Sequence, residues 1–589
     1  MSSLQFDDWA EEELSYLREA LRRFAQEWPE IAAKLEIHPQ GTGEFSDPRI
    51  ERLVVAIAIL NARVRERLDS ELPAVVDLFL DHFAPQLARP TPSFAVLQLQ
   101  PILADGRASV VRHLPQGTDL ETSPGGGERG APETGRVFRY RTTCGIDVAP
   151  VEIHTLQVST RGHGARLTIG LRTMGSFPFQ QLGSFEPRFF ISRAARWRGE
   201  LFAALRGEVR GRVRELPHTS LTEVVLPGFA EATELLPLDE RVDVGPRTLQ
   251  EYSLLPDKFA FFELPGLGAA LRECDRSEIT LELDLDRALS RTESASADDL
   301  RLNCVPVVNL WKERGEAVRV DGRRSEVSLR TTGRSRVVFD VASVRLKRDA
   351  RAAEELPSVR DLDHVLGGRP AWRALRCEGT REVERLALVN LGDWGLRDES
   401  ALLLPELWVT DGEAAARWTS TRDPVFGDLH VVGMRSVFRG ELVLRPTRSQ
   451  AAGAIGRYQL LADTALRSTV LEVDAGPSPR DLARLRGALS VYARAVGPLT
   501  SRAIQGLVEL ETRTTRRRVG REVRAGLEVE LTIDESGFAI DGVQLFGEVL
   551  TRFLVDSVPA GNFVELILVS HSDPLRRWSF GRRFAVRCS

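Results

Sequence analysis

Apolar residues in the first 90 positions recur at helical intervals. Leu14, Leu17, Leu21, Phe24, Trp28, Ile31 and Leu35 follow a 3-4-3-4-3-4 spacing, the period of a coiled-coil seam and narrower than an ordinary surface stripe. Pro29 falls inside this run and predicts a kink or a division, because it removes a backbone donor and crowds the preceding turn. A second helix is expected from Ser46-Asp47-Pro48, a cap residue followed by a proline at the first helical position, and runs through Ile50, Leu53, Val54, Ile57, Leu60, Val64 and Leu68. A third apolar run, Leu72 to Phe83, opens at Pro73. The spacing is equally compatible with a hairpin that packs its own seam and with a seam held open for a helix of another chain.

After Arg89-Pro90-Thr91-Pro92 the period shifts from 3.6 to 2. Phe94, Val96 and Leu99 begin a strand-like stretch, continued by Glu152–Leu156 and Arg166–Ile169. Leu201–Leu205 predicts a short helix. A further β-rich segment is expected from about Pro246, with strands at Ile279–Leu285, Val318–Val320 and Val337–Val344. Residues 351–380, charged and bearing Gly and Pro, read as a linker. Beyond them the signals mix. Ser478-Pro479-Arg480-Asp481 opens a helix, Leu527–Ile533 alternates as a strand, Leu545–Leu554 is helical and Phe563–Val569 is again a strand. The expected fold class is α+β multidomain: a helical segment over 1–90, β-rich domains over 91–245 and 246–350, the linker, and a mixed α+β domain over 381–589.

Composition narrows this picture without redirecting it. At 589 residues the chain is too long for one core, and 42% hydrophobic with 28% charged residues is an ordinary globular balance. A formal net charge of −5 provides no overall field for nucleic acid or an anionic membrane. Only four of the 79 basic residues are lysines. Arginine supplies planar, bidentate and stacking contacts, so the bias could suit an interface-rich protein, but a GC-rich genome is the simpler account. Five dispersed cysteines without a CxxC indicate neither a disulfide framework nor zinc, and suggest a reducing compartment. The start of the chain is acidic, unlike a secretory signal, and the longest clean apolar run, Val54–Leu60, is too short to span a bilayer, so a soluble cytoplasmic protein is expected.

The search for chemistry returns little. Nine histidines are scattered with no HExxH; there is no GxSxG elbow and no phosphate-binding loop, and the glycine-rich 122–135 stretch lacks the following Gly-Lys-Ser/Thr. His163, between two glycines, reads as a turn residue. Asp69, Glu71 and Asp77 flank a helix junction, where carboxylates are ordinarily solvated. They nevertheless leave a hydrolase, using Asp69 or Glu71 with a distant histidine, as the alternative class. The one charge run, Arg513, Arg516, Arg517, Arg518, Arg521 and Arg524, lacks the interleaved aromatics of a single-strand platform and is offset by nearby glutamates. A solvated or interface face is the expectation there. No catalytic, cofactor or metal residues are assigned.

Several blocks resemble a known family. Tyr16-Leu17-Arg18-Glu19, Phe24 and Pro29-Glu30-Ile31-Ala32 are followed by Asp47-Pro48, by Asp69 with Pro73, and by Arg89-Pro90-Thr91-Pro92-Ser93-Phe94. Next come Tyr252 with Pro256-Asp257-Lys258-Phe259-Ala260-Phe261-Phe262, then Leu302-Asn303-Cys304-Val305-Pro306-Val307-Val308-Asn309-Leu310. The last are Leu545-Phe546-Gly547-Glu548-Val549-Leu550-Thr551-Arg552-Phe553-Leu554 and Asn562-Phe563. In this order they are similar to the TssF family of type VI secretion baseplate subunits, and the chain is identified as a divergent member, departing at 82–87, 404–409 and 555–563.

The resemblance implies a non-enzymatic wedge subunit, two copies joining one TssG and the wedge joining TssK and TssE around spike and tube. Sheath would then polymerise on that platform, cytoplasmic but docked to a membrane complex. It implies no cofactor, no nucleic acid and no direct membrane insertion. The related alternative is a wedge subunit of another contractile injection or phage-tail-like particle. The seam Leu14–Leu35 becomes the candidate partner interface.

Overall fold

The computed structural model describes residues 3–34, 52, 54–62, 79–82, 84–101, 111–121, 137–193, 195–237, 239, 242–289, 295–320, 324–332, 336–348, 352–359, 370–376, 383–389, 401–412, 414–415, 425–426, 434–443, 476–477, 479–493, 501–519, 521–538 and 542–585. The chain divides into two compact units, Met1–Asp81 with Ala451–Leu461, and His82–Gln450 with Ala462–Ser589. Among the described residues no helix is long and apolar enough to cross a membrane.

The first unit is helical where described. Helix α1 (Ser3–Glu27) meets α2 (Pro29–Lys34) at Trp28. The Trp28 N–H donates to the Phe24 carbonyl and the Trp28 carbonyl accepts from the Ala32 N–H, each at 2.9 Å. Hydrogen bonding therefore passes through the joint, and the division falls at Pro29, which has no N–H to give to the preceding turn. Residues 54–62 and 79–82 are also helical. The expected starts at Asp47-Pro48 and Pro73 lie outside the described residues, as do Asp69 and the 122–135 loop.

The second unit is built on sheets that are mostly antiparallel. Strand β1 (Phe94–Pro101) pairs with β2 (Cys304–Val308) in the middle of a six-stranded sheet. Strands Glu278–Leu285, Gly164–Thr173 and Val151–Arg161 form much of a five-stranded sheet, and Ala401–Thr410 is central to another. Pairing runs across residue 246: Phe94 faces Val308, and Glu278–Leu285 lies between strands from 164–173 and 209–213. Pro246 itself stands in a helix, Val244–Leu254. The 351–380 stretch expected as a linker contributes strands Glu354–Leu356 and Ala371–Arg376. Periodicity is a local property and carries no information about partners 200 residues away, so neither feature is visible in it.

Several elements that the pattern predicts within the described residues are in place. Leu201–Leu205 lies in α3 (Arg198–Leu205), and the helix opening at Pro479 is α5 (Pro479–Ser490), with the Val244–Leu254 helix as α4. At the C-terminal end, β3 (Leu507–Val519) and β4 (Glu522–Ile533) form a long hairpin. Helix α6 (Gly542–Val555) then carries the chain to β5 (Phe563–Ser570), which runs parallel to β4, and β6 (Arg577–Phe584) closes the five-stranded sheet. A parallel pair requires such a crossover, and α6 supplies it. The chain is thus α+β, with helices at the start and β-rich and mixed parts after it.

Candidate functional site

The seam on α1 and α2 is open along much of its length. Leu14, Leu17 and Phe24 are half-buried, whereas Trp28 and Ile31 are 55% and 47% exposed. Among the described side chains of these helices the buried ones are small, Ala25 and Ala32. The Leu21 side chain and Leu35 lie outside the described residues. Among the described residues, seven of the twelve exposed large apolar side chains (Tyr16, Trp28, Ile31, Ile57, Ile59, Leu60 and Phe79) belong to this first unit.

The 302–310 block is instead a structural knot. Asn303 adopts φ 57°, the left-handed region that asparagine tolerates better than other side chains. Its amide donates to the Ala149 carbonyl at 2.9 Å and accepts from the Ala149 N–H at 3.1 Å. Asn309 is fully buried: its Nδ2 donates to the Arg139 carbonyl (2.7 Å) and Asp411 Oδ2 (2.9 Å), while Oδ1 accepts from Thr410 Oγ1 (2.7 Å) and the Asp411 N–H (2.8 Å). One amide so joins strands from two sheets with its polar capacity filled. Between them, Pro306 presents its carbonyl to the Thr143 N–H and Oγ1, both at 3.0 Å.

Charges inside the 251–262 block are buried and paired. Lys258 is ion-paired with Glu251, whose other oxygen accepts from the Leu235 N–H at 2.7 Å. Asp257, with no exposed surface, is gripped by Arg198 at 2.6 Å and Arg193 at 2.9 Å. Burial pushes its carboxyl upward, but the two guanidinium groups outweigh that and hold it below the usual aspartate range.

Helix α6 forms the wall of a cleft of about 410 Å³. Its Glu548 receives three guanidinium groups: Arg206 at 2.7 Å, Arg552 at 3.3 Å, and Arg583. Burial and the neighbouring Arg583 lower Arg552 to about 10, against the pull of Glu548, and its guanidinium lies 4.3 Å over the Phe229 ring. Thus α3, α6 and β6 are clamped by one carboxylate. Phe546 meets Phe538 at 4.9 Å, and at Gly547 an added Cβ would stand 2.0 Å from the Phe580 ring. Among the described residues no group of three or more His, Cys, Asp and Glu could hold a metal ion.

A model of the family described as "Type VI secretion system, TssF" matches residues 3–583. The chain belongs to the TssF family. It is 27% identical over 632 aligned positions to the type VI secretion system component TssF1 of Pseudomonas aeruginosa, covering 97% of both. Two solved assemblies share the fold. A cryo-electron microscopy structure of a TssK-TssF-TssG baseplate subcomplex contains a chain matched with a TM-score of 0.71 at 21% identity, over 91% of this chain and 99% of that one. A type VI secretion baseplate complex contains another at TM-score 0.59 and 17% identity, over the full length of both.

Within this TssF-family chain the family-motif residues do not converge on one place. Asn303, Pro306 and Asn309 anchor the six-stranded sheet, whereas Phe546 and Gly547 pack α6 on the C-terminal sheet. Asn562 and Phe563 close that sheet at the start of β5: the Asn562 carbonyl accepts from the Ala585 N–H at 2.9 Å, and the Phe563 ring lies against Gly526, 2.4 Å from where a Cβ would stand. Asp47, Pro48, Asp69 and Pro73 lie outside the described residues. Sequence reasoning missed the partners Asp411, Arg206 and Arg583. Each lies 35 residues or more from the motif residue it serves, and an arginine or aspartate in isolation carries no signal of that pairing.

Proposed function

We propose that this chain is a structural subunit of a type VI secretion baseplate wedge, acting by shape and rearrangement without catalysis. The family match from residue 3 to 583 carries the reading, because it spans both compact units. The open apolar seam of the first unit supports it: Trp28 and Ile31 offer the kind of surface a heteromeric helical bundle covers. In this reading two copies join one TssG through the Leu14–Leu35 seam, and the wedge meets TssK, TssE, spike and sheath components. Its place is cytoplasmic, in a complex docked at a membrane. The buried carboxylates Asp257, Glu251 and Glu548 are each occupied by arginine or lysine partners, an arrangement that suits load-bearing joints.

Co-expression with the TssG and TssK encoded beside it tests the proposal. The expected result is a stable complex with two of these chains per TssG, measured by native mass spectrometry. A chain that purifies alone in their presence, and whose deletion leaves sheath assembly intact in cells, sinks it.

A further inference from the structure

The cleft beside α6 holds more positive charge than its buried carboxylate can answer. Arg206, Arg552 and Arg583 all line it, and among the described residues each makes its ion pair with Glu548 alone. Every guanidinium is a fork of N–H donors, so two carboxylate oxygens leave most of them unmatched. Arg552 shows this directly, because its Nε is buried with no hydrogen-bond partner. Three cations against one carboxylate leave two positive charges over. Burial holds both Arg206 and Arg552 below the usual arginine value, and repulsion from Arg583 adds to it in each.

Depth sorts these charges. The Glu548 side chain is 3% exposed, against 24% for Arg206, 18% for Arg552 and 37% for Arg583. A molecule entering from solvent therefore meets guanidinium groups before the carboxylate that holds them. Two further carboxylates, Glu223 on the lining and Asp286 against Gly207, are exposed, where water and salt screen them. Much of the remaining lining is apolar: Leu205, Val209, Val224, Leu226 and Phe229. At about 410 Å³ the cleft has room for a small organic molecule, not only for a bare ion.

We propose that this cleft is a binding site for a small phosphate monoester with an apolar body. Guanidinium forks match phosphate oxygens two at a time, which a cluster of three can do from several sides. A phosphate monoester carries about −1.5 to −2 charges at pH 7 and so balances the two left over, whereas a carboxylate balances half of them. The apolar body of the ligand packs on Val224 and Leu226. Because α3, α6 and β6 all converge on Glu548, a ligand held by the same arginines also tightens the joint between them. The inference stands on the cleft alone and is independent of the assembly reading.

The test titrates phenyl phosphate calorimetrically into the purified full chain, in a buffer free of phosphate and sulfate. The expected result is one saturable site of sub-millimolar Kd, with inorganic phosphate and benzoate each binding roughly tenfold or more weakly. Arg583→Gln removes one fork at the most exposed of the three positions and should weaken phenyl phosphate roughly tenfold. Val224→Asp sets a negative charge in the lining and should weaken it at least as much. The exposed hairpin change Arg513→Gln should leave the affinity unchanged, and circular dichroism melting shows which variants are folded. Absence of a saturable site overturns the proposal, as does equal affinity for inorganic phosphate or benzoate. Unchanged binding in a folded Arg583→Gln or Val224→Asp chain overturns it too. Should neither variant fold, the three-ligand comparison on the wild-type chain decides.

Discussion

Helices α1 and α6 carry similar apolar spacing and meet opposite fates. In α6, Leu545, Phe546, Val549, Leu550, Phe553 and Leu554 are all buried, held between the C-terminal sheet, α3 and α4. In α1 and the α2 that follows, Leu14, Leu17 and Phe24 are half-covered, and Trp28 and Ile31 stand in solvent. A 3-4 repeat therefore states that one face of a helix is apolar, and leaves open whether the cover comes from its own chain. The difference separates residues that hold the fold from residues whose apolar face the chain itself leaves exposed.

The comparison breaks most sharply in the interior. Phe553→Ala should cost about 3–5 kcal/mol, read as a shift in the urea midpoint, because the cavity lies in a closed core. Asp257→Asn should cost a similar amount at neutral pH, about 3–5 kcal/mol, by removing the buried charge that Arg198 and Arg193 both face. Its pH dependence is a further check. The carboxyl is held below its unfolded value, so its stabilisation is fully present above the unfolded aspartate pKa and is lost as pH falls through the lower folded value. The gap between wild type and Asp257→Asn should accordingly be constant from pH 7 to 5 and narrow below about pH 4.

Smaller effects follow outward. Asn309→Ala should cost about 1–3 kcal/mol by leaving the Arg139 carbonyl and the Asp411 N–H buried without partners, and thermal melting would show it. Gly547→Ala should cost about 1–3 kcal/mol because the new methyl must displace the Phe580 ring. At the open end, Trp28→Asp should change melting by less than about 0.5 kcal/mol. The same change, or Phe24→Asp, should abolish recovery of the TssG complex, because a charge would be buried unpaired in the joined bundle. A Trp28→Asp chain that melts early and still assembles would reverse the comparison, making the seam internal packing.

Legibility from sequence followed the range of each signal. The strands at Ile279–Leu285 and Val318–Val320 and the helices at Leu201–Leu205 and Leu545–Leu554 were readable because their periods need only neighbouring residues. Helix α4 was not: Pro246 and Gly245 near its start argue against a helix, and its burial comes from distant packing, with Gly245 seated against Arg552 and Phe553 of α6. The arginine bias proved informative in position more than in number. Arg212 and Arg214 each fork two nitrogens onto one oxygen of Glu282, a geometry lysine cannot reproduce.

The amino-acid sequence by itself determined many of the helices and strands, the apolar face of each of those, and the family to which the chain is similar. Those properties follow from backbone geometry and side chains within a few residues of one another. Tertiary structure alone decided that Asn309 closes on Asp411, that Glu548 gathers three arginines, and that α6 is covered while Trp28 is left open. Each of these depends on which distant segment arrives, and a local period holds no record of that.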